Sequence, residues 1–154
     1  YETLLGYGQS KTASNLFALE LDTRGKEYNV RAYSVHPGSI GGTELAREAP
    51  LALFQQLGFC DAEGNIFPEV AASLKTIKQG AATTVWCASS PLLASLGGVY
   101  CEDADIAEIV DERSAASNPG GVRLYSLDET HAKRLWTLSE EMIGMKFMVD
   151  DELF

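Results

Sequence analysis

The chain has 154 residues, 45% of them hydrophobic and 22% charged, with a formal net charge of −10. That length suits one domain with a core of useful size. The acidity argues against a nucleic-acid or anionic-membrane surface, since both select for basic patches. The charge is uneven: residues 1–100 carry 9 acidic and 7 basic side chains, and residues 101–154 carry 13 and 5. The acidic last third reads as a solvated face and tail. No apolar run approaches the length of a membrane span. Cys60, Cys87 and Cys101 are odd in number and include no CxxC pair, which fits neither a zinc site nor a disulfide framework. Three reduced, packed thiols in a cytoplasmic compartment are expected. The chain opens on a tyrosine with no initiator Met, no signal peptide and no lead-in to its first helix. It is expected to be part of something longer.

The first element is a helix from about Leu4 to Arg24, with Ala13, Leu16, Phe17 and Leu21 at helical spacing and Gly25 as its stop. VRAYSV, Val30 to Val35, is rich in β-formers and runs into an HPG turn, so it reads as a strand. Residues 44–69 form a less regular insert with helical character, interrupted at Pro50, and with a turn at Asp61–Asn65. A second helix is expected from Val70 to Ser89–Pro91, carrying Val70, Leu74, Ile77, Ala81 and Val85 on one face. GGVYC, Gly97 to Cys101, reads as another short strand, and Ala115–Gly121 as a loop. The last helix is expected to start at Ser126, where Ser126-Leu127-Asp128-Glu129 fits a capping box, and to run to Gly144. The end, DDELF, reads as frayed.

That alternation argues for an α/β domain with a parallel sheet whose two strands are joined by a right-handed helical crossover. Two parallel strands alone are marginal and need both faces covered. The chain is therefore expected to be one end of a larger, doubly wound sheet, and an incomplete domain. The exposed sheet edge would favour pairing with another chain, as in a homo-oligomer.

Tyr7 and Lys11 stand four residues apart on the first helix, one above the other on the same face. A free phenol titrates near ~10, so it is a poor proton donor at neutral pH. A nearby ammonium stabilises the phenolate. A phenol so tuned serves as general acid or base for a carbonyl–alcohol interconversion. With six tyrosines in the chain, the spacing alone is a motif that chance supplies.

Its context says more. YGQSKTASNLFALEL followed by VRAYSVHPGSIGGTEL resembles the short-chain dehydrogenase/reductase family, in the branch of retinol dehydrogenase-like and WW-domain oxidoreductase-like members. The pattern is Y-x-x-x-K on a helix, a strand, then P-G and a threonine: Tyr7, Lys11, Pro37, Gly38 and Thr43. Gly80–Pro91 (GAATTVWCASSP) and Gly97–Asp103 (GGVYCED) also resemble that branch. The resemblance covers about residues 1–145. It implies a Rossmann fold and an NAD- or NADP-dependent oxidoreductase. Tyr7 would exchange a proton with the substrate oxygen. Lys11 would bind the nicotinamide ribose hydroxyls and favour the phenolate. The Pro37–Gly38 turn would close over the nicotinamide, with the Ile40 backbone near its carboxamide, and Thr43 would hydrogen-bond the cofactor. Many relatives place threonine five residues after the proline, where this chain has Gly42.

Other parts of that family's site have no counterpart. There is no G-x-x-x-G-x-G and no G-x-G-x-x-G after a strand; Gly41–Gly42 and Gly97–Gly98 read as turns. The family's catalytic serine precedes its tyrosine by more residues than stand before Tyr7. Ser10 lies off the Tyr7–Lys11 face and cannot replace it. The 154-residue chain alone is therefore expected to be inactive. His36 reads as a packed or turn histidine, His131 as an exposed helical one, and Glu102, Asp103 and Asp105 as a solvated rim lacking the pattern of a calcium loop. Trp86 and Trp136 suit packing. The 44–69 insert, with Leu51, Leu53, Phe54, Leu57 and Phe59, suits an apolar alcohol or carbonyl substrate, a lid, or plain packing. The competing reading is a non-catalytic, reductase-like interaction or scaffold module, motivated by the missing loop and the acidic last third.

Overall fold

The structure, a computed structural model, describes residues 2–44, 47–110 and 120–147. Most of the Ala115–Gly121 loop, the DDELF end, and Leu45 and Ala46 of the insert lie outside the described residues.

Helix α1 spans Thr3–Gly25, bracketing the expected range. Of the expected stripe Leu16 is buried, Ala13 and Leu21 are half-buried and Phe17 is exposed, while Ala18, Glu20 and Asp22 are buried as well. The cause is that α1 packs on the sheet and on the last helix at once. Phe17 keeps 48% exposure while stacking on Trp136 at 5.2 Å between centroids. The two buried carboxylates are paired, as burial of a charge demands. Glu20 Oε1 accepts from Arg24 Nε at 2.7 Å. Asp22 accepts from Arg31 Nη2 at 3.0 Å and from the Ala32 N–H at 3.1 Å. A Cβ at Gly97 would run into Asp22 Oδ1, so this corner requires glycine.

Strand β1 is Ser34–His36, shorter than the expected Val30–Val35. Only these residues have ladder partners, in β2, Tyr100–Glu102. The pairing is parallel, Ser34 opposite Tyr100 and His36 opposite Glu102. A third strand, β3 (Asp105–Ile106), pairs antiparallel with β2 and was not expected. The order is β1-β2-β3: a mixed α/β arrangement with a small sheet.

Between β1 and β2 the chain forms α2 (Leu51–Gln56), α3 (Pro68–Ser73) and α4 (Ile77–Ser89). Pro50 is the N-cap of α2, so the expected interruption is a helix start. The turn at Asp61–Asn65 is present; the Asp61 carboxylate accepts from the Glu63 and Asn65 N–H groups at 3.0 and 2.8 Å. The single helix expected from Val70 is two helices. Leu74 is extended, and a capping box opens α4: Thr76 Oγ1 accepts from Gln79 N, and the Gln79 side chain accepts from Thr76 N.

The last helix, α5, is Glu129–Ile143, ending at Gly144 in the left-handed region as expected. Its N-cap is Asp128, whose carboxylate accepts from His131 N at 2.8 Å. The expected cap, Ser126, lies buried in a 3₁₀ turn at Leu124–Leu127. Trp136 is buried among Phe17, Phe147 and the Arg24 guanidinium, which sits 4.8 Å from a ring centroid. Cys60, Cys87 and Cys101 are free thiols. Among the described residues no helix is long and apolar enough to cross a membrane.

Candidate active site

The C-terminal end of α1 is fastened by Asp22 to Ala32, ahead of β1, and Gly98, ahead of β2, packs against Leu19. The N-terminal turns of α1, with Tyr7 and Lys11, therefore lie toward the opposite, carboxyl ends of the parallel strands. In open α/β sheets that is the end where ligands bind.

Tyr7 and Lys11 meet. The Lys11 ammonium stands 5.2 Å from the Tyr7 ring centroid, within cation–π range. Both side chains are exposed, Tyr7 at 54%. Ser10 is spent locally: its hydroxyl donates to the Tyr7 carbonyl at 2.7 Å. Tyr100, on β2, is the neighbour that links this pair to the turn after β1. Burial, then the Glu102 carboxylate, then Tyr7 push the Tyr100 phenol up to about 12. Its ring is 6.5 Å from that of His36. A cleft of about 210 Å³ opens beside them, lined by His36, Tyr100, Glu102, Val110, Gly121 and Arg123.

His36 is the last residue of β1 and opens onto the Pro37–Gly38 turn. It is exposed, and its Nδ1 accepts from the Gly38 N–H at 3.2 Å. Gly38 has φ +81°, a left-handed conformation that glycine adopts without strain. Ile40 forms a parallel bridge with Lys75, and a Cβ at Gly80 would collide with its side chain. Pro37, Gly38 and Ile40 thus belong to one fastened turn. Gly42 (φ +72°) and Thr43 follow it, both exposed.

The rim carboxylates have separate partners. Glu102 Oε1 accepts from Gly121 N at 2.6 Å, Asp103 pairs with Lys75, and Asp105 Oδ1 accepts from Ile106 N at 2.8 Å. Among the described residues no group of three or more His, Cys, Asp or Glu could hold a metal ion. His131 is exposed. The 44–69 insert packs largely on itself: Phe54 faces Phe59 at 6.4 Å, Cys60 bridges Ile66, and Gln55 Nε2 donates to the Asp61 and Ala62 carbonyls. Leu51, Leu57 and Phe59 remain exposed.

The Lys75–Asp103 pair was not expected from the sequence, where Asp103 reads only as part of the solvated rim. Lys75 directly precedes Thr76-x-x-Gln79, a capping-box signature that marks it as the last residue before a helix.

The donors present suit one end of a nicotinamide nucleotide: a phenol and an ammonium for ribose hydroxyls, and the exposed Thr43 hydroxyl beyond the turn. A glycine-rich cradle for the phosphates has no counterpart among the described residues.

No protein-family model matches the chain. Whole-protein comparisons are informative. The chain is 38% identical over 144 residues to a probable oxidoreductase of Streptomyces lividans, covering 94% of this chain and 46% of that protein. It is 32% identical to retinol dehydrogenase 11 of Mus musculus, over 94% of this chain and 38% of the relative. It is 28% identical to the WW domain-containing oxidoreductase of Drosophila melanogaster, over 94% and 29%. The chain thus spans less than half the length of the curated relatives it matches. Over that matched stretch, the chain is a homologue of oxidoreductases and retinol dehydrogenases of the short-chain dehydrogenase/reductase family.

Proposed function

We propose that this chain supplies the proton-transfer pair and the nicotinamide-side turn of an NAD(P)-dependent oxidoreductase that interconverts an alcohol and a carbonyl compound. The observation that carries the reading is the Tyr7–Lys11 contact on a helix whose N-terminal turns face the carboxyl ends of two parallel strands. Tyr7 Oη gives its proton to the substrate oxygen in reduction and takes it back in oxidation. Lys11 holds the ribose hydroxyls and stabilises the phenolate when the proton leaves. Pro37, Gly38 and the Ile40 main chain bound the nicotinamide, and Thr43 donates to the cofactor beyond them. The nicotinamide, when bound, supplies or accepts the hydride. The exposed apolar side chains Leu51, Leu57 and Phe59 of the insert suit an apolar aldehyde, ketone or secondary alcohol. In the whole enzyme these residues complete a doubly wound Rossmann sheet.

In the whole enzyme, Tyr7→Phe is expected to lower kcat by 10²-fold or more, the usual order for a positioned acid or base. Nucleotide affinity, read by fluorescence titration, should change little. Retained turnover would remove Tyr7 from the proton path. Residues 1–154 alone, with no glycine-rich loop and an exposed Tyr7, are expected to give no carbonyl reduction with NADH or NADPH. Measurable turnover by that chain would show that it holds a complete site.

A further inference from the structure

Lys75 makes a series of contacts that the proton-transfer pair does not use. A Cβ on Gly38 would stand 2.6 Å from Lys75 Cδ and 2.7 Å from Cε, so the lysine stem lies against the turn where a side chain would otherwise be. The lysine main chain holds the same turn. Its N–H donates to the Ser39 carbonyl at 2.8 Å, and its carbonyl accepts from Gly41 N at 3.3 Å. The ammonium forms an ion pair with Asp103, on the turn between β2 and β3. The main chain of that turn is held by a contact to α4. Asp103 and Ala104 both hold positive φ, 51° and 58°, and the Ala104 N–H donates at 3.0 Å to the hydroxyl of Thr83, which is 1% exposed. Asp103 thus stands on a turn whose main chain is bonded to α4, and Lys75 ties the Gly38–Gly41 segment to that turn.

We propose that Lys75 is the positioning residue of the Pro37–Gly38 turn, holding it in register with β2 through its stem over Gly38 and its pair with Asp103. The proposal rests on the oxidoreductase reading for its functional consequence, since that turn bounds the nicotinamide. Lys75 touches neither the proton nor the hydride. Its loss lets the turn drift, which weakens cofactor binding with little effect on the chemical step once cofactor is bound. The exposed ion pair alone contributes modestly, so stem and charge act together.

Three variants of the whole enzyme separate the parts. Lys75→Ala removes stem and charge, Lys75→Met keeps the stem, and Lys75→Arg keeps both. Amide hydrogen exchange without nucleotide is expected to speed by about tenfold at Gly41 and Lys75 in Lys75→Ala, with α1 amides unchanged. The KM for NAD(P)H should rise about tenfold with kcat within about twofold. Lys75→Met and Asp103→Asn should give matching smaller rises, and Lys75→Arg should restore wild-type values. Unchanged exchange and KM in Lys75→Ala would overturn the proposal, as would faster exchange spread equally over α1 and the sheet. A wild-type enzyme that bound no nicotinamide nucleotide would instead defeat the oxidoreductase reading, and the exchange rates at Gly41 would still decide whether Lys75 holds the turn.

Discussion

Tyr100 carries the strongest electrostatic signature beside the proposed site. Burial is the main cause of its raised phenol, followed by Glu102 and Tyr7. The sign of the consequence is fixed. Between the ordinary value of 10.0 and about 12, the folded protein keeps a proton that the unfolded chain has lost. The associated stability is full below the first value and is lost as pH rises through the second. Cys101, pushed up to about 12 by burial and by its hydrogen bond with Cys87, loses stability in the same direction. Tyr100→Phe is therefore expected to flatten, though not abolish, the alkaline fall in urea midpoint between pH 9 and pH 12. An identical fall in wild type and variant would contradict this placement of the phenol. At this scale the legible features were local ones. Tyr7 and Lys11 could be read because one helical repeat is enough to bring them together. Lys75 and Asp103 could not, because their pair spans 28 residues of sequence and joins separate elements.

Among the elements, α3 and α4 show how one apolar stripe misleads. Val70, Leu74, Ile77, Ala81 and Val85 keep helical spacing through a break. The main chain of Lys75 is committed to Ser39 and Gly41 instead of to helix, and Thr76 restarts the helix behind it. Ile77, Ala81 and Val85 are all exposed, Ile77 at 68% and Val85 at 61%, so the part of that stripe on α4 does not face a core. Thr76→Ala is expected to cost about 1 kcal/mol, the usual worth of an N-cap, with Thr76→Ser recovering most of it. A urea midpoint unchanged in Thr76→Ala would mean that the capping box is dispensable. Strand β3 was invisible for a different reason. Two-residue hairpin turns with two positive φ values ordinarily announce themselves as Asn-Gly or Asp-Gly, whereas this one is Asp103-Ala104. Ser126 satisfied a capping pattern in sequence, yet Asp128, two residues later, makes the cap.

For the whole molecule, helix and strand alternation sufficed to place the chain in the α/β class and to pair its strands in parallel, because connection length excludes a hairpin between them. The packing of α1 was less legible. Helical periodicity gives no sign that Glu20 and Asp22 are buried, since the groups that satisfy them, Arg24, Arg31 and the Ala32 N–H, are partly on other elements. Trp136 stacks on Phe17 across the α1–α5 contact and meets Phe147, beyond the end of α5, edge-on.

The register of the small sheet also sets an order in time. Glu102 meets Asp105 across a two-residue turn, while Ser34 must find Tyr100 across the whole insert and α4. Closing the short loop takes microseconds, and the long one adds an entropic barrier that must be met before any parallel contact forms. The β2–β3 hairpin and α1 are therefore expected to be native-like early in refolding, with β1 joining last. Pulsed hydrogen exchange would read this directly: protection at Ala107, which bonds Tyr100, should precede protection at Ser34, which bonds Val99. Simultaneous protection would mean that the crossover and the hairpin form in one step.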